Sequence, residues 1–245
     1  MFSYQFAAQT NIGGRRENQD SYGSGMTPYG FVVTVCDGMG GAAGGKRAAE
    51  TAVNLIIRDL KTSAHDTPAL AIVAAVETAN QAIFQISRLK THLHGMGTTA
   101  TVLLVNKEAV YIAHVGDSRI YHLRNQQILF RTFDHSAVFE RVLMGQMTEE
   151  EARLSPESNI ILRALGVDAE VDIDLHESTW RPGDRFVLCT DGVSGIMPEP
   201  ELLARLTQPK IPARIADELT EHINHIGIAQ GGRHDNLTVA VIDMG

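Results

Sequence analysis

Four aspartates stand where apolar runs begin or end. Asp37-Gly38 closes the run FVVTVC (31–36), and Asp191-Gly192 closes FVLCT (186–190) in the same manner. Asp235-Asn236 comes immediately before LTVAVI (237–242), and Asp20 follows Asn18-Gln19 in the region after the first apolar run. Each of these aspartates, taken singly, suits a turn or a helix cap. If a rigid sheet converged the four tips on one point, the carboxylates would repel strongly unless cations sat among them. The glycines after Asp37 offer a competing chemistry. Gly40, Gly45 and Lys46 reproduce a phosphate-cradling G-x-x-x-x-G-K loop after a strand, but that loop next needs a Ser or Thr hydroxyl to hold magnesium. Arg47 stands there instead, a permanent cation that cannot ligate a metal.

The elements that would carry these residues are mostly strands. Segments rich in Val, Ile, Thr and Phe and bounded by Gly, Asn or Asp occur at 3–10, 31–36, 98–105, 109–115, 119–124, 127–132, 171–177, 185–190 and 236–243. The runs 98–105, 109–115 and 119–124, separated by Asn106-Lys107-Glu108 and Gly116-Asp117-Ser118, read as an antiparallel meander. Helical periodicity covers 44–60, with Ala49, Ala52, Val53, Ile56, Ile57 and Leu60 on one face, then 67–89 and 212–226. Strands dominate, and the helices are too clustered for a doubly wound parallel sheet. The expected class is α+β: two antiparallel sheets packed face to face with helices outside.

Composition narrows the function. The 245 residues are 44% apolar and 20% charged, with no low-complexity tract or linker, so one domain spanning 1–245 is expected. A net charge of −8 argues against a nucleic-acid or anionic-membrane surface and favours cation binding. Cys36 and Cys189 lack any C-x-x-C or zinc spacing and read as buried reduced thiols. No leader and no run of about 18 apolar residues is evident, so a cytoplasmic location is expected.

Seven short motifs then carry a resemblance: Arg15-Arg16-Glu17-Asn18-Gln19-Asp20, Val35-Cys36-Asp37-Gly38-Met39-Gly40-Gly41, Gly97-Thr98-Thr99-Ala100, Val115-Gly116-Asp117-Ser118-Arg119, Asp134-His135-Ser136, Cys189-Thr190-Asp191-Gly192 and Asp235-Asn236. In this order and spacing, over nearly the whole chain, they resemble the metal-dependent protein phosphatase family, type 2C. The resemblance implies a phosphoserine/phosphothreonine hydrolase that uses two tightly bound Mn²⁺ or Mg²⁺ ions and attacks phosphorus directly with a metal-bridging hydroxide. It makes Asp37 the bridging carboxylate, places the Gly38 carbonyl on the second metal, and completes the first metal with Asp191 and Asp235. Asp20 reaches the second metal through water, and Asp117 with Asp191 holds a weaker third ion. Arg15, five residues before Asp20, matches the phosphate-binding arginine, which leaves Arg16 as a solvated surface residue. Oxygen-only ligands suit Mg²⁺ or Mn²⁺ rather than zinc, and a guanidinium fork suits two phosphoryl oxygens.

Several readings compete with this one. Many eukaryotic members carry a histidine after Asp-Gly as a general acid, whereas Met39 cannot donate a proton; bacterial relatives often share the Met. His94, His114, His135 and His234 lie near motifs and are read as structural. The turn Gly116-Asp117-Ser118, by itself, is a hairpin carrying Asp117 to solvent. Asp172-Ile173-Asp174 lacks the Thr or Val of an aspartyl-phosphate enzyme and fits a half-exposed strand. A pseudophosphatase acting as a phosphoprotein-binding module would be favoured by loss of a metal aspartate, and none is lost. The segment 135–165, with a short helix, the run Glu149-Glu150-Glu151 and a Ser-Pro turn, resembles the flap that bacterial relatives carry beside the metal site. The resemblance further implies a monomer acting on phosphorylated proteins, in opposition to a bacterial Ser/Thr kinase.

Overall fold

The computed structural model describes residues 2–245, and at 41–43 the backbone alone; Met1, the first residue of the expected unit, lies outside them. The strands are β1 (Tyr4–Asn11), β2 (Asp20–Thr27), β3 (Gly30–Met39), β4 (Gly97–Thr98), β5 (Ala100–Val105), β6 (Val110–Val115), β7 (Arg119–Arg124), β8 (Gln127–Arg131), β9 (Asp174–Ser178), β10 (Arg185–Cys189) and β11 (Leu237–Met244). The helices are α1 (Gly41–Thr62), α2 (Pro68–Leu89), α3 (Ala137–Leu143), α4 (Glu149–Leu154), α5 (Asp191–Ser194), α6 (Glu199–Leu206) and α7 (Pro212–Ala229).

One sheet runs β1-β11-β10-β7-β8 and the other β2-β3-β5-β6-β9, with β4 joined to the end of β3. Every pairing is antiparallel. Between the sheets lie Phe31, Val33, Val35, Leu103 and Ile112 from one, and Ile120, Phe186, Leu188, Ala240 and Ile242 from the other. The alternate residues of the same strands face outward, where α1 and α2 cover one sheet and α6 and α7 the other. This four-layer arrangement is the expected sandwich. Helix α2 is long and apolar enough to span a bilayer by length and composition, with a mean hydropathy of 1.4. It is instead packed into the core through Ala71, Ile72, Ala75, Val76, Ala79 and Ile83.

Two differences from the sequence reading bear on the site. Strands β6 and β7 do not pair with each other, because β6 lies between β5 and β9 while β7 lies between β10 and β8. The link 116–118 is therefore a crossing between sheets and not a hairpin. Its turn chemistry is the same in both cases, so only the strands' other partners decide. The second difference is β2, whose run DSYGSGMT reads as loop. It pairs with β3 over eight residues because its glycines admit α1: a Cβ at Gly23 would stand 2.6 Å from Val53 Cγ1.

The glycine-rich stretch after Asp37 has a packing role. A Cβ on Gly38 would collide with the Gly45 carbonyl, and one on Gly45 with Gly38, so the two glycines let the start of α1 lie backbone against backbone on β3. Glycines in a helix cost about 1 kcal/mol each. Burial of Val53, Ile56 and Leu60 on the same helix contributes about 1.5–3 kcal/mol apiece and outweighs that cost.

The contact at Gly23 is directly testable. Gly23→Ala should destabilise the fold by about 1–3 kcal/mol through overpacking against α1, read as a lower urea midpoint, and Val53→Ala in the same chain should recover part of the loss. In an open strand the same change would stabilise.

Candidate metal centre

The site is built at the end of the sandwich where β2, β3, β10 and β11 meet. Asp20 opens β2 and is directly paired with Asp37 on β3. Asp20 is buried at 8% exposure; its Oδ2 accepts hydrogen bonds from Thr190 Oγ1 (2.9 Å) and Thr238 Oγ1 (2.7 Å), while its Oδ1 is buried without a partner. The two threonines are themselves linked, since Thr238 N–H donates to Thr190 Oγ1. Asp37 is held through its backbone. Its N–H donates to Thr99 Oγ1 (2.9 Å), and its carbonyl accepts from Thr99 N–H and Thr98 Oγ1, both at 2.8 Å. The Gly97-Thr98-Thr99 motif thus sets the strand that presents Asp37.

Asp191 begins α5 directly after Thr190, and Asp235 precedes β11. Together with Asp37, Gly38, Arg15, Arg16 and Met39 they line one cleft of about 430 Å³, to which Asn159 and Ile161 of the 135–165 segment also contribute. Arg15 Nη2 lies 2.5 Å from Asp235 Oδ2, with side chains 53% and 39% exposed. A pair this exposed is worth about 0–1 kcal/mol and exchanges readily. The neighbouring Arg16, read from sequence as a solvated bystander, lines the same cleft.

Asn236 is the organiser that sequence reasoning left as a mere motif letter. Its Oδ1 accepts from Gln19 N–H, its Nδ2 donates to the carbonyls of Ile12 and Glu17, and its own N–H donates to Asp235 Oδ1. One buried amide therefore ties the arginine loop, Asp20's strand and Asp235 together. Thr238 gave no sequence signal, because a Thr in a strand is ordinary.

Asp117 is not presented to solvent as a hairpin tip would be. The crossing between sheets buries it at 4% exposure, with Oδ1 unpartnered. It lines a second cavity of about 70 Å³ together with Asp134 and Asp191, so Asp191 faces both spaces. The loop is fastened by Thr99 Oγ1 to Ser118 Oγ (2.8 Å), by Gly116 N–H donating to His135 Nδ1 (3.1 Å), and by His114 Nε2 at the Ser118 carbonyl (2.9 Å). His114, His135 and Asp174 place one donor atom each within 4.8 Å of one another. They form a hydrogen-bond brace and not a second metal site, because the Gly116 amide occupies His135 Nδ1 and leaves the ring proton on Nε2, 3.2 Å from Asp174 Oδ2. His234 is also structural, bonded through Nε2 to Asn224 on α7.

Burial and mutual repulsion govern the electrostatics. Asp20 is pushed up to about 7, first by desolvation, with the charges of Asp191 and Asp235 adding to it against the two threonine hydrogen bonds. Asp191 is raised to about 6 by burial and Asp235, partly offset by a hydrogen bond with Asp37. Asp37 and Asp117 lie well above the carboxylate range for the same reasons, with Asp20 and Asp191 as the foremost charges at Asp37, and Asp191 and Asp134 at Asp117. These groups cannot all ionise together without positive charge among them.

Comparison with known proteins agrees with this architecture. The chain superposes on the catalytic domain of the serine/threonine protein phosphatase PstP, solved with two manganese ions, with a TM-score of 0.86 and 32% identity over 100% of this chain and 99% of that one. A Streptococcus agalactiae serine/threonine phosphatase superposes with a TM-score of 0.88 at 31% identity, covering 99% and 100%. In sequence, the serine/threonine phosphatase Stp of Listeria monocytogenes is 34% identical over 220 residues, 86% of this chain and 84% of its own. Fold and site together are those of a serine/threonine protein phosphatase. The family model for Protein phosphatase 2C matches residues 9–226, and the chain belongs to that family.

The raised carboxyls make a signed prediction for the metal-free protein. An unfolded aspartate titrates near about 3.9, so the folded chain holds protons on Asp20 and Asp191 that the unfolded chain has released. Stability from this source is full below about pH 4 and is lost as pH rises through the folded values of about 6 and about 7. The melting temperature of chelated protein should therefore fall between pH 5 and pH 8, and Mn²⁺ should raise it more at pH 8 than at pH 5, since metal and proton compete for the same oxygens. A chelated melting temperature that climbs across this range would contradict the repulsive cluster.

Proposed function

We propose that the chain hydrolyses phosphoserine and phosphothreonine in proteins at a two-metal centre in the cleft. Asp37, Asp191 and Asp235 would hold the first ion, and Asp37, the Gly38 carbonyl and Asp20 the second. The observation that carries this reading is the set of buried carboxylate oxygens, Asp20 Oδ1, Asp117 Oδ1 and Asp191 Oδ1, that have no hydrogen-bond partner among the described residues. A buried acceptor left unsatisfied costs about 1–3 kcal/mol, more when charged, and cations remove that cost. The donors are oxygens throughout, which fits Mn²⁺ or Mg²⁺.

When bound, the ions supply an acidified water as nucleophile and offset charge on the phosphoryl transition state. The chain's own part is positioning. Thr98, Thr99, Thr190 and Thr238 fix the carboxylates. Arg15 turns from its exposed pair with Asp235 to two phosphoryl oxygens, which its planar fork matches. Met39 on the cleft wall brings no proton to the leaving oxygen, and no histidine lines the cleft among the described residues. A third, weaker ion fits the small cavity between Asp117 and Asp191, with a dissociation constant of about 10⁻⁴ to 10⁻³ M expected of so open a ligand set. We place the chain in the cytoplasm as a monomeric single domain, acting on targets of a bacterial Ser/Thr kinase, with the 135–165 segment as the flap over the cleft.

Isothermal titration with Mn²⁺, run beside turnover of p-nitrophenyl phosphate and a phosphothreonine peptide, tests the assignment. Asp37→Ala and Asp191→Asn should lose tight ions and turnover together, and full turnover in excess chelator would refute the centre. Asp117→Ala should keep both tight ions and a near-native melting temperature while losing the weak ion and most phosphopeptide turnover.

Arg15→Ala should leave ion stoichiometry unchanged and lower kcat/KM for phosphopeptide about 10- to 100-fold, the value of a charge-assisted bidentate contact. Unaltered kinetics would remove Arg15 from the phosphate site.

A further inference from the structure

Arg15 and Arg16 leave the same loop, yet only one of them meets a carboxylate. Arg15 is paired with Asp235, and Lys46 of α1 lies 3.7 Å from Glu17. Arg16 is exposed at the rim, lines the cleft, and makes no side-chain ion pair or hydrogen bond among the described residues. Its backbone is nevertheless firmly placed. On one side Gly14 N–H donates to the His234 carbonyl and Asn236 donates to the Ile12 carbonyl; on the other Asn236 donates to the Glu17 carbonyl and accepts from Gln19 N–H.

A loop held at both ends while its outermost guanidinium stays unpaired is organised for something that arrives from solution. Among the described residues Arg16 adds no intramolecular pair to the fold, and it stands beside the proposed phosphoryl site in a chain whose net charge is −8. An arginine presents five donors in a planar fork matched to carboxylate or phosphate oxygens. Since Arg15 and Arg16 are adjacent, an anion reaching Arg16 while a phosphoryl group occupies the Arg15 side must come from a nearby part of the same substrate. An extended peptide advances roughly 3.5 Å per residue, so residues flanking the phosphorylated one can carry that anion.

We infer that Arg16 is a specificity-determining residue that binds a second anionic group next to the phosphoserine or phosphothreonine, so that preferred substrates are acidic or multiply phosphorylated around the target. This rests on the phosphatase reading of the cleft given above. Carboxylate and phosphate share the recognising chemistry, and the substrates in the test separate them.

The experiment uses the Mn²⁺-loaded full chain and three phosphothreonine peptides of one sequence, carrying Gln, Glu or a second phosphothreonine at the flanking positions. The readout is the ratio of kcat/KM between each anionic peptide and the Gln peptide, which normalises for any general loss of activity. Wild-type protein should favour the anionic peptides about three- to tenfold, chiefly in KM, as expected for a partly exposed charge pair, and the ratio should shrink as salt is raised. Arg16→Ala should bring it close to one, Arg16→Glu below one, and Arg16→Lys should retain part of it. A preference confined to the doubly phosphorylated peptide would support the inference with phosphate as the ligand. A wild-type ratio of one, or an unchanged ratio in Arg16→Ala, would overturn it while leaving the phosphatase reading intact. Failure to turn over any of the three peptides would instead remove the reading on which it stands.

Discussion

The structure depends on the repulsion among carboxylates that the sandwich forces together. Asp20 and Asp37 face each other across a strand pair, and the charges of Asp191, Asp117 and Asp235 all act on Asp37. No isolated chain would choose this arrangement, because each acid loses hydration and gains like-charged neighbours. It persists because two sheets with three apolar layers hold the strand tips rigidly, and the core energy of those layers is far larger than the electrostatic penalty at one end. Local strain of this kind, maintained by the surroundings, is characteristic of functional sites.

What keeps the acids in register is mostly neutral hydrogen bonding. Threonine hydroxyls at positions 98, 99, 190 and 238 and the Asn236 amide satisfy backbone groups and selected carboxylate oxygens without adding charge. Their geometry leaves particular oxygens open, and those oxygens are the ones a cation can reach. The close contact of Gly38 with Gly45 plays a parallel part, seating α1 against the strand that carries Asp37. The glycine-rich stretch that imitates a nucleotide loop is therefore a packing device.

A belt of ion pairs runs outward from the Asp117 side. Arg119 holds Asp134 with both nitrogens of its fork, and Arg131, 9% exposed, joins Glu149 of α4 to Glu199 of α6. Arg153 then reaches the Gly195 carbonyl, and Gly195 N–H donates back to the Asp191 carbonyl. The acidic run Glu149-Glu150-Glu151 is used completely: one acid on Arg131, one on Arg153 and one in a capping box with Thr148. The segment 135–165 is in this way fastened to the helix that begins with Asp191.

The sequence by itself determined the layers, the strand tips and the identity of the acids. Alternating apolar residues and Asp-Gly tips are local signals, and local signals survive translation into structure because side-chain period and turn chemistry act within a few residues. Asp20, Asp37, Asp191 and Asp235 were legible as a candidate cluster for that reason, and Arg15 and Asp117 once the motif order was recognised. The tertiary structure alone decided the rest. It made β2 a strand by opposing its glycines to α1, turned 116–118 from a hairpin into a crossing that buries Asp117, and set the exposed Arg16 along the cleft. Each of these outcomes depends on a partner outside the segment itself, such as Val53 for Gly23 or Thr99 for Ser118, and no pattern within a single segment records which partner that will be.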